Sequence, residues 1–234
     1  MFKRLIDSIN KFITWLKRKQ RVKPDSDPLK VNIGSGLSVA DGWINVDASL
    51  NAFFSKYPRI VLKLLYRLSG SHQWYSREEY MKKLKNHTFI HHQLEYGIPF
   101  PDNSIDYLYS SHLLEHLFLY DAERLLREAY RTTKKGGRIR ICVPDLEHAF
   151  ALYRNGNKDK ALSYFFRTSK VGCLCQHHYM YDFDMLKKLL ETVGFVDVER
   201  CPFQEGKIPD IHKLDNRPEE TLFVEARKPA KNFT

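Results

Sequence analysis

The chain has 234 residues, 43% of them hydrophobic and 13% aromatic, with a formal net charge of +10. It is long enough to bury one good core with a small appendage, and it lacks the repeats or low-complexity tracts of a fibrous or disordered protein. No run of about 18 uncharged apolar residues occurs, which excludes a membrane-spanning helix.

Four cysteines in a chain of this length (Cys142, Cys173, Cys175, Cys201) do not read as a disulfide framework, so reduced thiols and a cytoplasmic setting are expected. The charge is uneven. Residues 1–25 carry eight Lys/Arg against Asp7 and Asp25, and the remainder is only mildly basic.

In MFKRLIDSINKFITWLKRKQRVKP, the residues Phe2, Leu5, Ile6, Ile9, Phe12, Ile13 and Leu16 recur at steps of three and four. That spacing predicts a helix with one apolar stripe, ended by Pro24. Asp7 and Lys11 interrupt any signal-peptide core. A basic amphipathic helix with Phe and Trp suits an anionic membrane surface, which residues 2–21 would meet peripherally; each cation there adds about 1 kcal/mol. A helix packed on its own domain or on a twin subunit gives the same period. The expected organisation is a helix and linker over 1–25, then one α/β domain over 26–234.

LKVNIGSG (29–36) reads as an apolar strand running into a glycine turn, and GWINVDAS (42–49) as a second strand ending on Asp47. Glycines let backbone approach a ligand, and a carboxylate at a strand tip can accept both ribose hydroxyls of a nucleoside. The dinucleotide fingerprint G-x-G-x-x-G fails because position 39 is Val. Only residues 34–42 separate these strands, so the first helix must shrink to about a turn. Residues 51–70 predict a helix carrying Ile60, Val61, Leu64, Leu65 and Leu68, read mainly as a core helix.

Further strands are predicted at 89–94, 105–111, 137–145, 196–201 and 221–227. Between them lie a helix capped by Asp121 that stops at Gly136-Gly137, and one capped by Asp182 and closed by Gly194. The fold expected is a doubly wound, Rossmann-like, mostly parallel sheet with an antiparallel last strand. The loop from Cys201 to Thr221 is expected to act as a lid on the acceptor side.

The order VNIGSG, WINVD, GIPFPDNSIDYLYSSHLLEHL, LREAYRTTKKGGRIRICVPD, DMLKKLLETVGFVDVE resembles class I S-adenosylmethionine-dependent methyltransferases over about residues 29–228. It is most similar to a short group with a G-W-x-N-x-D second strand, several of whose members accompany surface-polysaccharide biosynthesis. The resemblance implies S-adenosylmethionine as cofactor. It places Gly34, Ser35 and Gly36 at the methionine end, Asp47 on the ribose, and Gln93 and Leu94 beside the adenine. The family usually has Asp where Gln93 stands. Ser110, Ser111 and His112, just past the fourth strand, fall near the transferred methyl.

His112, Glu115 and His116 also spell H-x-x-E-H, an inverted zinc-hydrolase signature. The preceding strand and the lack of a distinguishable third ligand favour the transferase reading, with Glu115 and His116 bracing a helix. CLCQHHY (173–179) is a second tempting cluster. Crowding disfavours four ligands on one ion, and His177 or His178 is expected to line the acceptor pocket. A sugar hydroxyl needs a general base, for which His112, His177, His178 and, as runner-up, Asp145 are candidates. The expected acceptor is a glycan or lipid-linked saccharide. A small-molecule or nucleic-acid acceptor, or a non-catalytic membrane-docked scaffold, remain alternatives; nucleic acid is disfavoured because the cations sit on one helix.

Overall fold

The computed structural model describes residues 2–23, 25–166 and 177–230, leaving out the side chains of residues 2–7 and 68. Cys173 and Cys175, and the apolar side chains expected at Phe2, Leu5 and Ile6, therefore lie outside the described residues.

In chain order come α1 (Phe2–Leu16), β1 (Lys30–Ile33), β2 (Trp43–Asp47), α2 (Leu50–Phe54), α3 (Arg59–Leu68), α4 (Arg77–Asn86), β3 (Thr88–His91) and β4 (Ile105–Ser111). Then follow α5 (Leu119–Thr132), β5 (Thr133–Pro144), α6 (Leu146–Arg154), α7 (Lys158–Ser163), α8 (Phe183–Val193), β6 (Val196–Cys201), α9 (Ile211–Leu214) and β7 (Thr221–Arg227). The strands form one sheet in the order β3-β2-β1-β4-β5-β7-β6. All neighbours are parallel except β7, which runs against both β5 and β6. The doubly wound sheet with an antiparallel last strand is thus the observed one.

Strand alternation divides the core. Leu108, Ile141 and Val224 face one side, where α5 and α8 contribute Leu125, Leu126, Leu186 and Leu190. Their neighbours Tyr109, Cys142 and Phe223 face the other, packing with Trp43 and with Ile208, Ile211 and Leu214. A third cluster joins α3 and α4 to β3 through Leu62, Leu65, Tyr80, Leu84 and Phe89.

The crossover between β1 and β2 spans residues 34–42 and contains no helix. Crossovers that move in opposite directions along a sheet lie on opposite faces, given one handedness. A full first helix would therefore sit opposite α5, over Trp43 and Tyr109. Residues 202–216 cover that face instead. Arg140, fully buried, holds them there by pairing with Asp215 through two nitrogens (3.0 and 2.6 Å) and with Glu225 (3.0 Å). Its guanidinium also donates to the carbonyls of Pro202 and Glu205, both at 3.1 Å. Asp210 accepts from Lys30 Nζ (2.7 Å) and Trp43 Nε1 (2.9 Å). The segment expected as a lid is a fixed wall.

Local departures have local causes. Asp182 caps α8 by accepting from Met185 N, and Gly194 ends that helix in the left-handed region, as expected. Asp121, by contrast, lies in the first turn of α5 and is not its cap, which is Phe118. That helix ends at Thr132 rather than at the glycines, because Thr133 already pairs with Ile105 in β5. Pro58 splits the 51–70 helix into α2 and α3, and α3 buries Leu62 and Leu65 while exposing Ile60 and Leu64. Sequence reading missed α4, although Ser76 caps it by accepting from Glu79 N, an S-x-x-E pattern.

Helix α1 packs on the domain through a polar edge. Asn10 donates to the Ala48 carbonyl (2.9 Å) and its Oδ1 lies 3.0 Å from His91 Nε2; Thr14 is buried, and Lys17 sits 4.9 Å above the Phe53 ring. The apolar residues Ile9, Phe12 and Leu16 point outward, at 50%, 59% and 59% exposure. Among the described residues no helix is long and apolar enough to cross a membrane.

His91 Nε2 faces two acceptors, Asn10 Oδ1 and the Ala48 carbonyl, so it carries the proton, and Nδ1 is buried without a partner. Burial, and then Lys17 nearby, push its pKa down to about 4 from 6.5. An unfolded or undocked His91 binds a proton between these values while the docked one does not, so docking weakens as pH falls from 6.5 toward 4. Acidification from pH 7 to pH 5 is expected to speed tryptic cleavage at Lys17–Lys23 relative to an unstructured peptide of the same sequence cut in the same buffer, and His91→Gln to flatten that ratio. Cleavage equally slow at both pH values sinks the assignment.

Candidate active site

Gly34 begins the turn after β1 with φ +64°, and Gly36 follows with φ +50°, a region that L side chains seldom adopt. A Cβ on Gly34 would lie 2.8 Å from the Leu113 side chain, whereas one on Gly36 would meet nothing within 4 Å. The turn is thus packed from one side and open on the other. Two cavities adjoin it.

The larger, about 550 Å³, is lined by Gly34, Asp47, Ser49, Gln93, Leu94 and Leu117, among others. Its size falls in the roughly 300–1,000 Å³ range of small-molecule clefts. Asp47 is held at the tip of β2: Oδ2 accepts from Gly36 N (2.9 Å) and Oδ1 from Ser49 N (2.7 Å). Each oxygen keeps a lone pair for a ligand hydroxyl. The Ser49 hydroxyl is buried without a partner. Gln93 and Leu94 enter this cavity from the end of β3, so three of the expected cofactor contacts share one space with Gly34. The sequence did not reveal Arg21, which arrives from the segment after α1, or Arg124 on α5, which donates to the Glu95 carbonyl at 2.6 Å.

The second cavity, about 360 Å³, is lined by Gly34, Ser35, Gly36, Ser111 and His112 together with Asn32, Ser38, Tyr75, Tyr109, Asn216 and Arg217. Ser111 Oγ is buried there with no partner. A nucleoside with a charged, polar tail fits the two cavities taken together: the Asp47 carboxylate and Ser49 border the larger, and the open glycine turn and Ser111 the smaller, with Gly34 between them.

His112 has φ +52°, strained for a non-glycine residue, and its N–H donates to the Cys142 carbonyl at 2.9 Å. Its Nδ1 lies 3.1 Å from Glu115 Oε1 and its Nε2 3.1 Å from Thr221 Oγ1. A carboxylate on Nδ1 makes that nitrogen the donor and leaves the lone pair on Nε2, which the Thr221 hydroxyl meets as donor. Glu115 is fully buried. This pairing of a buried carboxylate with the His112 ring was not foreseen in the sequence, although the i, i+3 spacing carries it.

The other expected residues sit elsewhere. Ser110 is buried with its hydroxyl unpaired, and it lines neither cavity. Asp145 caps α6 by accepting from Glu147 N (3.0 Å) and pairs with Arg200 (2.6 Å). The His178 ring stacks on Phe118 at 4.3 Å, and His177 Nδ1 is 2.8 Å from the Tyr164 carbonyl. Neither histidine lines the two cavities described.

Residues 54–141 match the family model described as a methyltransferase domain. Among solved structures, the chain is similar to a possible exported protein from Bordetella parapertussis, at 17% identity and a TM-score of 0.50, covering 92% of this chain and 65% of that one. It is also similar to a SAM-dependent methyltransferase from Thermotoga maritima described as a possible histamine N-methyltransferase (18% identity, TM-score 0.46, 97% of each chain). A third is a SAM dependent methyltransferase from Archaeoglobus fulgidus (17% identity, TM-score 0.46, 97% of this chain and 94% of that one). At such identity the first of these speaks for the fold alone. No curated protein matches the sequence.

Removing the carboxylate that faces the larger cavity tests its use. Asp47→Ala is expected to weaken S-adenosylmethionine binding between about tenfold and a hundredfold in calorimetry, the worth of hydrogen bonds to a charged group. Unchanged affinity refutes the ribose contact.

Proposed function

We propose that this chain, a class I S-adenosylmethionine-dependent methyltransferase, methylates a hydroxyl of a saccharide, glycan or lipid-linked, at an anionic membrane surface. The observation that carries the reading is His112: the residue lines the smaller cavity, a buried carboxylate holds its Nδ1, and its Nε2 meets only the exchangeable hydroxyl of Thr221. Asp47, Gln93 and Leu94 would hold the nucleoside, and Ser35, Gly36 and Ser111 its amino-acid tail. When bound, the cofactor supplies a methyl on a sulfonium, whose departure needs little covalent help.

The chain's own task is then to align an acceptor and take its proton. A sugar hydroxyl is a poor nucleophile at neutral pH, and His112 Nε2 would accept its proton once the acceptor takes the place of the Thr221 hydroxyl, while Glu115 stabilises the charged ring. The lining suits a polar acceptor such as a saccharide: the Tyr75 ring, the Asn216 amide and the Arg217 guanidinium border the cavity, a set that matches vicinal hydroxyls. Assembly of a surface polysaccharide is the setting such an acceptor implies.

The membrane enters through α1. Ile9, Phe12 and Leu16 face outward with Lys11, Arg18 and Lys19 nearby in sequence, while the polar edge is spent on docking. A docked helix showing its apolar face to solvent, ringed with cations, matches an anionic lipid interface.

Full-length enzyme incubated with methyl-labelled cofactor is expected to label lipid-linked or cell-envelope saccharide as an alkali-stable ether, and not RNA. His112→Ala should lower kcat by about a hundredfold or more with cofactor affinity intact. Label in nucleic acid, or an unimpaired His112→Ala, overturns the reading. In flotation, the protein should bind anionic and not zwitterionic vesicles, and Phe12→Asp, which changes an exposed position, should release it. Equal binding to both vesicle types removes the membrane from the proposal.

A further inference from the structure

We propose that Glu115, His116 and His177 form a site for a divalent cation of the zinc class. The sequence offered His112, Glu115 and His116 as a metal motif, but folding spends His112 on Thr221 and Glu115 and brings His177 in its place. One ligand atom from each of Glu115, His116 and His177 lies within 4.8 Å of the other two. Donor atoms around a single zinc ion, at about 2.0–2.2 Å from it, stand about 3.3–3.6 Å apart, so the three side chains need draw together by no more than about 1.5 Å to share one ion.

Two further features point to a cation. Glu115 is fully buried, and although Oε1 faces His112 and His116, Oε2 has no partner among the described residues. A buried carboxylate oxygen left bare is costly, and a cation resolves it. His177 Nδ1 must donate to the Tyr164 carbonyl at 2.8 Å, so its lone pair is on Nε2. Ligating imidazoles are habitually fixed by such a bond from the other ring nitrogen.

The frame is already built. The Glu115 carbonyl accepts from His178 N (2.7 Å) and Tyr179 N (3.3 Å), tying the His177 segment to the turn that carries Glu115 and His116. The two imidazole rings lie 5.0 Å apart. Two imidazoles and a carboxylate suit zinc and its first-row neighbours, leave one position open, and do not suit calcium, which prefers oxygen throughout. The other candidate cluster, Glu199, Cys201 and Glu225, is already neutralised by Arg140 and Lys207. A cation at Glu115 would clamp the chain at 177 onto the turn that shapes the active site.

The test uses full-length protein stripped with a chelator and titrated with zinc against a chromophoric competitor, and then with Co²⁺. One ion per chain is expected, with the visible bands of four-coordinate Co²⁺. His116→Ala and His177→Ala should each weaken zinc by about tenfold or more, whereas Cys201→Ser leaves it unchanged. Thermal melting of the stripped variants alongside stripped wild type checks folding, and His116→Asn replaces any variant that fails it. Binding below one equivalent, or affinity that survives both histidine changes, overturns the site. These readouts need no methyl transfer, so they stand apart from the fate of the proposed activity.

Discussion

Strands β1 and β2 run parallel with only residues 34–42 between them, so the chain must climb back along the sheet in nine residues. The four residues of β1 span roughly 13 Å at about 3.3 Å each. A helix recovering that distance at about 1.5 Å per residue would use nearly all nine, leaving nothing for the turns. The connection is therefore a bare loop, and much else follows from it. The glycine turn stays uncovered on one side, which opens the smaller cavity. The sheet face behind Trp43 and Tyr109 needs another cover, and a segment more than 150 residues later in the chain supplies it.

That cover is fastened by charge as well as by apolar contact. Ile208, Ile211 and Leu214 bury against the sheet, but the segment between β6 and β7 has little regular structure to satisfy its backbone. Arg140 answers this with a guanidinium that reaches two carboxylates and two carbonyls. The carboxylates are used further: Asp215 accepts from Gln204 N and Tyr109 OH, and Glu225 from Lys207 N. Removing one member of a buried ion pair typically costs about 3–5 kcal/mol, because the partners stay buried and uncompensated. The wall that carries Asn216 and Arg217 to the smaller cavity is thus held by the same contacts that put it there.

What the sequence makes legible is what depends on neighbours in the chain. Alternation at Ile139, Ile141 and Val143 locates β5, and Asp182 with Gly194 brackets α8, because period and capping are local physics. Asp47 could be placed at a strand tip for the same reason, whereas Gln93 was placed by family resemblance alone and lies two residues past the end of β3. The wall could not, since nothing near Arg140 announces that its partners lie 75 and 85 residues away. Glu115 was visible as one letter of a metal motif, yet its role depends on a turn that points it at His112 and on a segment that returns at His177. Asp121 misled because a carboxylate in the first turn and one at the cap stabilise a helix start by similar electrostatics.

Helix α1 shows the limit most plainly, since an apolar stripe cannot say which way it faces. Packing usually turns such a stripe inward, but here Asn10 and Thr14 occupy the inner edge, and the stripe looks out. The inner contacts are specific: they reach Ala48 and His91, at the ends of β2 and β3, beside Asp47. The chain then runs through Arg21, which lines the larger cavity, and Val22 N donates to the Pro99 carbonyl. The outward face of the helix and the rim of the cavity are consequently parts of one short, firmly attached stretch. Whatever surface engages Ile9, Phe12 and Leu16 is held at a fixed distance from the site, and that fixed distance gives an otherwise costly apolar exposure a physical reason to persist.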